Sequence, residues 1–227
     1  MRRLALVLVL VPLIAACGGG GTKKTPPTTS TAAQADPGRT ATLALFGAAL
    51  KDDRKALWNV LSKESQKRLG GYATFKTQGA VIMERALAPF ASTRSAPFIS
   101  QSISQQFGIV ALRSGAKALA FPLRHEDGAW KIETPGPLSF QILGPAPGSN
   151  GSVSQIGVEV HSPGVVDDAI IWVDGKLVRP TLAPAQGKAT VFANLAQPLS
   201  RGIHIAVVFA VEGNDASAEA WSFSASG

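Results

Sequence analysis

Cys17 is the only cysteine in the chain. A lone thiol cannot close an internal disulfide, so Cys17 is free for covalent modification and the folded parts must hold together by packing. The other side chains suited to chemistry are scattered. His125 lies in the charged stretch Arg124-His125-Glu126-Asp127 and reads as solvated surface; His204 fits the turn before a strand, and His161 stands far from it in sequence. That spacing offers no metal-ligand set. Asp167-Asp168 lacks the spaced oxygen donors of a calcium loop. No G-x-S-x-G elbow, phosphate loop, H-E-x-x-H or S-x-x-K occurs, and a Ser-His-Asp set has no spacing to support it. The expectation is a protein that is not an enzyme and carries no cofactor and no metal.

The surroundings of Cys17 give its thiol a use. Met1-Arg2-Arg3 is a positive start, and the apolar run Leu4 to Ala16 is about half the ~20 residues a bilayer-spanning helix needs. It reads as the apolar core of a secretory signal. The run closes in Ile14-Ala15-Ala16-Cys17, which resembles the lipobox of bacterial lipoproteins. The resemblance implies a thioether-linked diacylglycerol on Cys17, removal of residues 1–16, and often a further acyl chain, such as palmitate, on the new amino terminus. At ~0.8 kcal/mol per buried CH₂, two or more chains hold a protein at a membrane for a long time. The implied address is the extracytoplasmic face of the cell membrane.

Residues 17–37 begin with four glycines and continue rich in Thr, Pro, Ala and Ser, a composition that cannot build a core and reads as a disordered tether. Loss of Arg2 and Arg3 takes the formal charge from +7 to about +5. The remaining Lys and Arg are dispersed rather than gathered into a stripe, which argues against nucleic acid as a partner. The 45% hydrophobic content owes much to alanines and the leader, so it is no sign of a multi-pass membrane protein.

Residues 38–137 read as helices followed by strands, the α+β order. Leu43, Phe46, Gly47 and Leu50 recur at helical spacing and predict one apolar face. Asp53 and Ser62 are expected helix N-caps, with a stop near Gly70-Gly71. Phe75, Ile82, Met83, Ala86 and Phe90 predict the buried face of a further helix. Strands are expected at 97–104, 107–113, 116–125 and 129–133, with Ser114-Gly115 and Asp127-Gly128 as hairpin turns.

Residues 138–227 lose the helical period. Short apolar alternations at 140–143, 153–160, 169–173, 176–182, 189–193, 203–211 and 218–225 predict about seven strands, the number of an immunoglobulin-like sandwich. Asp174-Gly175 is a tight hairpin turn, and Asn150-Gly151-Ser152 reads as a turn.

Leu43-Ala44-Leu45-Phe46, Leu57-Trp58-Asn59-Val60-Leu61-Ser62 and Asp127-Gly128-Ala129-Trp130-Lys131-Ile132 are similar to the nuclear-transport-factor-2-like and cystatin-like lipoprotein domains, whose helices pack into a curved antiparallel sheet. Trp172-Val173-Asp174-Gly175-Lys176, Leu199-Ser200-Arg201-Gly202-Ile203-His204 and Ala220-Trp221-Ser222-Phe223 resemble bacterial immunoglobulin-like modules, here without a disulfide. The first resemblance implies a concavity that sometimes holds a small ligand; Trp58, Tyr72, Glu84 and Trp130 are the candidates to line it. The expected function is a non-enzymatic envelope lipoprotein that binds or scaffolds a protein or cell-wall component. The alternative is a receptor for a small apolar or amphipathic ligand in that concavity.

Overall fold

The computed structural model describes residues 36–227, so Cys17, the expected leader and nearly all of the expected tether lie outside the described residues. Helix α1 (Pro37–Ala49) is started by Asp36, whose side chain accepts from the Arg39 N–H, with Pro at its first position. The predicted caps Asp53 and Ser62 begin α2 (Arg54–Val60) and α3 (Lys63–Arg68). Gly70, at φ 72°, takes a backbone conformation that L side chains resist and ends the run. Helix α4 (Tyr72–Thr74) passes through a π turn (Phe75–Gly79) into α5 (Ala80–Leu87), which ends in a 3-10 turn (Ala88–Thr93). Among the described residues no helix is long and apolar enough to cross a membrane.

Two expected helix faces are corrected. On α1 the buried residues are Gly38, Ala41, Thr42, Leu45, Phe46 and Ala48, so Phe46 is inward as expected, while Leu43 and Leu50 are 41% and 60% exposed. The segment is apolar all round, so several faces fit the period equally well. Of the face expected from Phe75 to Phe90, those two phenylalanines are buried, but between them α5 buries Ala80 and Leu87, and Ile82 is 69% exposed. The π turn carries one extra residue per turn, which rotates everything after Phe75 relative to a continuous α-helix.

Four strands follow, β1 (Ile99–Ser102), β2 (Phe107–Ser114), β3 (Lys117–Glu126) and β4 (Ala129–Ile132), in an antiparallel sheet of that order. Asp127 and Gly128 turn with positive φ, as the hairpin signal requires. The helices cover one face of this sheet. Val110, Leu112, Phe121, Leu123 and Ile132 meet Leu45, Phe46, Leu57, Trp58, Leu61, Phe75, Leu87 and Phe90 there.

The rest of the chain forms two sheets facing each other. One has the order β10-β11-β7-β5, from β5 (Ser139–Gly144), β7 (Gln155–His161), β10 (Thr181–Ala185) and β11 (Lys188–Asn194). The other has the order β6-β13-β12-β8-β9, from β6 (Asn150–Gly151), β8 (Asp168–Val173), β9 (Lys176–Val178), β12 (Gly202–Glu212) and β13 (Asp215–Ala225). Val158, Val160 and Val191 pack against Ile171, Val208, Trp221 and Phe223 between them. The expected strand 176–182 is two strands, because Pro180 interrupts it and the chain crosses from one sheet to the other. The expected turn at Asn150-Gly151 is β6, a two-residue strand parallel to Ser224–Ala225.

A third apolar layer joins the two parts. Ile99, Phe107, Ile109, Ala111 and Ala120 of the first sheet meet Trp172, Ile205, Val207, Phe209 and Ala216 of the five-stranded one. The order of layers is therefore helices, four strands, five strands, four strands. Strand β12 lies between two cores, which is why Ile205 to Ala210 are all buried instead of alternating.

Candidate functional site

The four residues proposed to line a concavity do not converge on an open space. Trp58 is buried on α2, with its ring centroid 5.2 Å from that of Phe75 and 5.9 Å from that of Tyr72. Trp130 on β4 is half-buried, borders the same apolar cluster and has its ring centroid 4.9 Å from that of His125, with the two planes tilted by 42°. The sheet face turned toward the helices is thus occupied by the protein's own side chains. Glu84 sits elsewhere, on α5, with a carboxylate oxygen 3.9 Å from Arg54 Nε.

Tyr72 and Arg54 do share a polar cleft of about 430 Å³ with Asp52, Asp53, Lys55 and Lys76. Arg54 Nε donates to Asp52 at 3.1 Å and its Nη1 to the Lys76 carbonyl at 2.9 Å, while Lys55 Nζ lies 4.6 Å above the Tyr72 ring. The charges of the cleft are largely paired with each other, and it is wide open to water, where such pairs contribute little.

Two polar clusters are buried more deeply. At the junction of the parts, Glu133 is fully buried and accepts from Arg124 Nε at 2.9 Å, Arg124 Nη2 at 2.8 Å and Arg68 Nη2 at 3.0 Å. Arg68 Nη1 also donates to Asp215 at 2.9 Å, and Arg124 donates to the Asn214 carbonyl, which ties α3 and β3 to the β12–β13 turn. These donors offset the cost of taking the carboxylate's oxygens out of water.

The second cluster is His204. It lies within β12, not before it, and is 6% exposed. Its Nδ1 is 2.6 Å from Asp174 Oδ2 and its Nε2 is 2.8 Å from the Ser200 carbonyl. With an acceptor at each nitrogen, the protonated two-donor form of the ring satisfies both contacts, which the neutral ring does not do at once. Burial pulls its pKa down, but the Asp174 hydrogen bond, the Ser200 carbonyl and the Asp174 charge together carry it above the usual histidine value. His161, at 45% side-chain exposure, is 3.2 Å from Glu159, so the histidines remain apart from each other's partners.

A groove that sequence reasoning missed runs between the first sheet and the sandwich. It holds about 390 Å³ and is walled by Leu119 and Phe121 of β3, by Leu138 and Phe140, and by Ala218 and Ala220 of β13. Its one charged lining residue is Glu219, which makes no ion pair among the described residues and whose carboxyl burial pushes up. Alternating apolar residues reveal that β3 and β13 are strands. They carry no signal of which strand edge stays unpaired.

No family model matches the sequence, and no curated protein matches it. Among solved structures the chain is similar to the endo-beta-1,4-mannanase from Thermotoga petrophila, at 9% identity over 39% of this chain and 19% of that one, with a TM-score of 0.32. The chain therefore spans about a fifth of the mannanase's length. It is also similar to PcoC, a methionine rich copper resistance protein from Escherichia coli, at 15% identity over 35% of this chain and 88% of that one, TM-score 0.26. In the titin M10–obscurin-like 1 Ig complex the figures are 14%, 38% and 92%, TM-score 0.25. Immunoglobulin-like domains are thus among the neighbours of the β-rich part, and similarity of this size carries no argument for an activity, a metal or a substrate.

Proposed function

We propose that the chain is a non-enzymatic envelope lipoprotein, held at the cell membrane by a lipid on Cys17, that binds or scaffolds a protein or cell-wall partner through its outer surface. In this reading the helix-covered sheet is a nuclear-transport-factor-2-like domain and the sandwich is an immunoglobulin-like module. One observation carries the reading: the first sheet is covered on both faces, by the helices and by the five-stranded sheet. That leaves outer surfaces and the groove, rather than an interior chamber, for recognition. The reading as a small-ligand receptor needs space where Leu45, Phe46, Leu57 and Trp58 now pack.

The test has two parts. Cys17→Ala should move the exported chain from the membrane fraction to the soluble one, and the intact mass of the native chain should carry acyl chains beyond its polypeptide. Photo-crosslinking in living cells should then recover a defined envelope partner. A chain that stays with the membrane after Cys17→Ala refutes the anchor, and crosslinks to nothing at any surface position refute the binding module.

A further inference from the structure

Strands of all three sheets border the groove: Ala118–Phe121 of β3, Ser139 and Phe140 of β5, and Ser217–Ala220 of β13. In β12, Asp174 N donates to the Ile205 carbonyl and Asp167 N to the Val211 carbonyl, so odd-numbered β12 residues turn their backbone groups toward β8 and even-numbered ones toward β13. Through the pairs Val208↔Glu219 and Ala206↔Trp221, odd-numbered residues of β13 complete that ladder. The even-numbered ones therefore point outward.

Near its end this outer edge is used. Ser222 O accepts from Gly148 N at 2.8 Å, Ser224 N donates to Ser149 O at 2.7 Å, and β6 pairs with Ser224 and Ala225. At Ala218 and Ala220 the covering strand is gone, and their outward N–H and C=O groups open into the groove. The wall opposite repeats the pattern: β4 pairs with β3 only over Leu123–Glu126, leaving Lys117–Phe121 without a neighbour on that side. Ala118, Ala120, Ala218 and Ala220 give this part of the groove a lining of small side chains. An unpaired strand edge beside an apolar wall is a template for one more strand.

We propose that this groove docks an extended segment of a partner protein, which adds antiparallel to Ala218–Ala220 of β13 and sets a basic side chain opposite Glu219. The proposal rests on the binding-module reading above. The partner residue facing Glu219 falls in a non-hydrogen-bonded pair, where side chains approach most closely, at Cα separations of about 4.5 Å. Its two neighbours point to the other face, toward the methyl groups of Ala118 and Ala120, where medium-sized apolar side chains fit. The recognised pattern is apolar–basic–apolar, and the unpaired carboxylate in an otherwise uncharged groove selects the cation.

The probes are fluorescent peptides Thr-Val-Lys-Val-Thr and Thr-Val-Glu-Val-Thr, titrated by anisotropy against the full chain in detergent. The lysine peptide should bind about two- to fivefold more tightly than the glutamate one, and Glu219→Gln should erase that preference. Ala218→Pro removes an N–H that the native ladder does not use, so it should weaken the lysine peptide about tenfold while leaving the unfolding midpoint in place. Should that variant fail to fold, a lysine peptide N-methylated at the valine facing Ala218 removes the other bond of the same pair, in which the valine N–H donates to the Ala218 carbonyl, on the native protein, with a similar loss expected. No binding of the lysine peptide, or equal binding of its N-methylated form, overturns the proposal. In cells, a photo-crosslinker at position 118 should capture the partner; adducts at positions 50 or 192 but none at 118 overturn the groove and leave the binding module standing. Adducts nowhere remove both.

Discussion

Glu133, just past the end of β4, accepts with both carboxylate oxygens from the guanidinium of Arg124 on β3, at 2.8 and 2.9 Å, and its carboxylate has no exposure to water. The bidentate pair sits where the first sheet meets the β12–β13 turn, and Arg68 adds a third donor. Glu133→Ala leaves Arg124 buried without its counter-charge, a change that costs about 3–5 kcal/mol. The double variant with Arg124→Met should recover part of that loss. Urea unfolding of the four members of the cycle measures the coupling, and additive losses would show that the pair does not act as a unit.

His204 makes stability depend on pH. Its folded pKa lies above the model-peptide value near 6.5, because the Asp174 hydrogen bond and charge and the Ser200 carbonyl outweigh the burial that opposes them. The imidazolium's contribution is therefore fully present below about pH 6.5 and is lost as pH rises through the folded pKa. Asp174 holds φ 50°, a conformation Asn also tolerates, so Asp174→Asn removes the charge while keeping the turn. Thermal unfolding from about pH 6 to 8 should decline in the native protein and decline less in this variant. Equal slopes in the two proteins would discard the assignment.

Gly79 closes the π turn against Phe75. A Cβ at this position would lie 2.8 Å from a Phe75 ring carbon, and that ring is 1% exposed and packed on Trp58, so it has nowhere to go. Gly79→Ala gains up to about 1 kcal/mol of helix propensity, since the backbone there is ordinary αR. Overpacking costs about 1–3 kcal/mol and outweighs it. The variant should be less stable than the native protein by chemical denaturation; a gain would mean that the π turn relaxes to α-helix without cost.

Elements with a local cause were legible in the sequence: the caps Asp53 and Ser62, and the turns at Asp127-Gly128 and Asp174-Gly175, depend on neighbours within a few residues. The pattern over Ile203 to Val211 reads as a strand of alternating burial and does not reveal that β12 is buried on both faces from Ile205 to Ala210. It could not show that the second face meets Phe107 and Ile109, nearly a hundred residues earlier. Nor could pattern place the groove at Glu219, because that site exists only where β4 and β6 stop short. The π turn escaped for a further reason: one added residue rotates a helix face without altering composition.

The corrected face of α1 is itself testable. Leu45 is fully buried against the first sheet's cluster, whereas Leu43, two residues earlier and chemically identical, is 41% exposed. Truncating a packed leucine removes its transfer free energy and leaves a cavity, together about 2–5 kcal/mol. Truncating an exposed one on a helix stays within about 0.5 kcal/mol, since alanine's helix propensity offsets the small loss of contact. Leu45→Ala should therefore lower the urea midpoint sharply and Leu43→Ala hardly at all. Were the two losses equal, or their order reversed, α1 would lie on the sheet through the face that periodicity first suggested, with Leu43 and Leu50 inward.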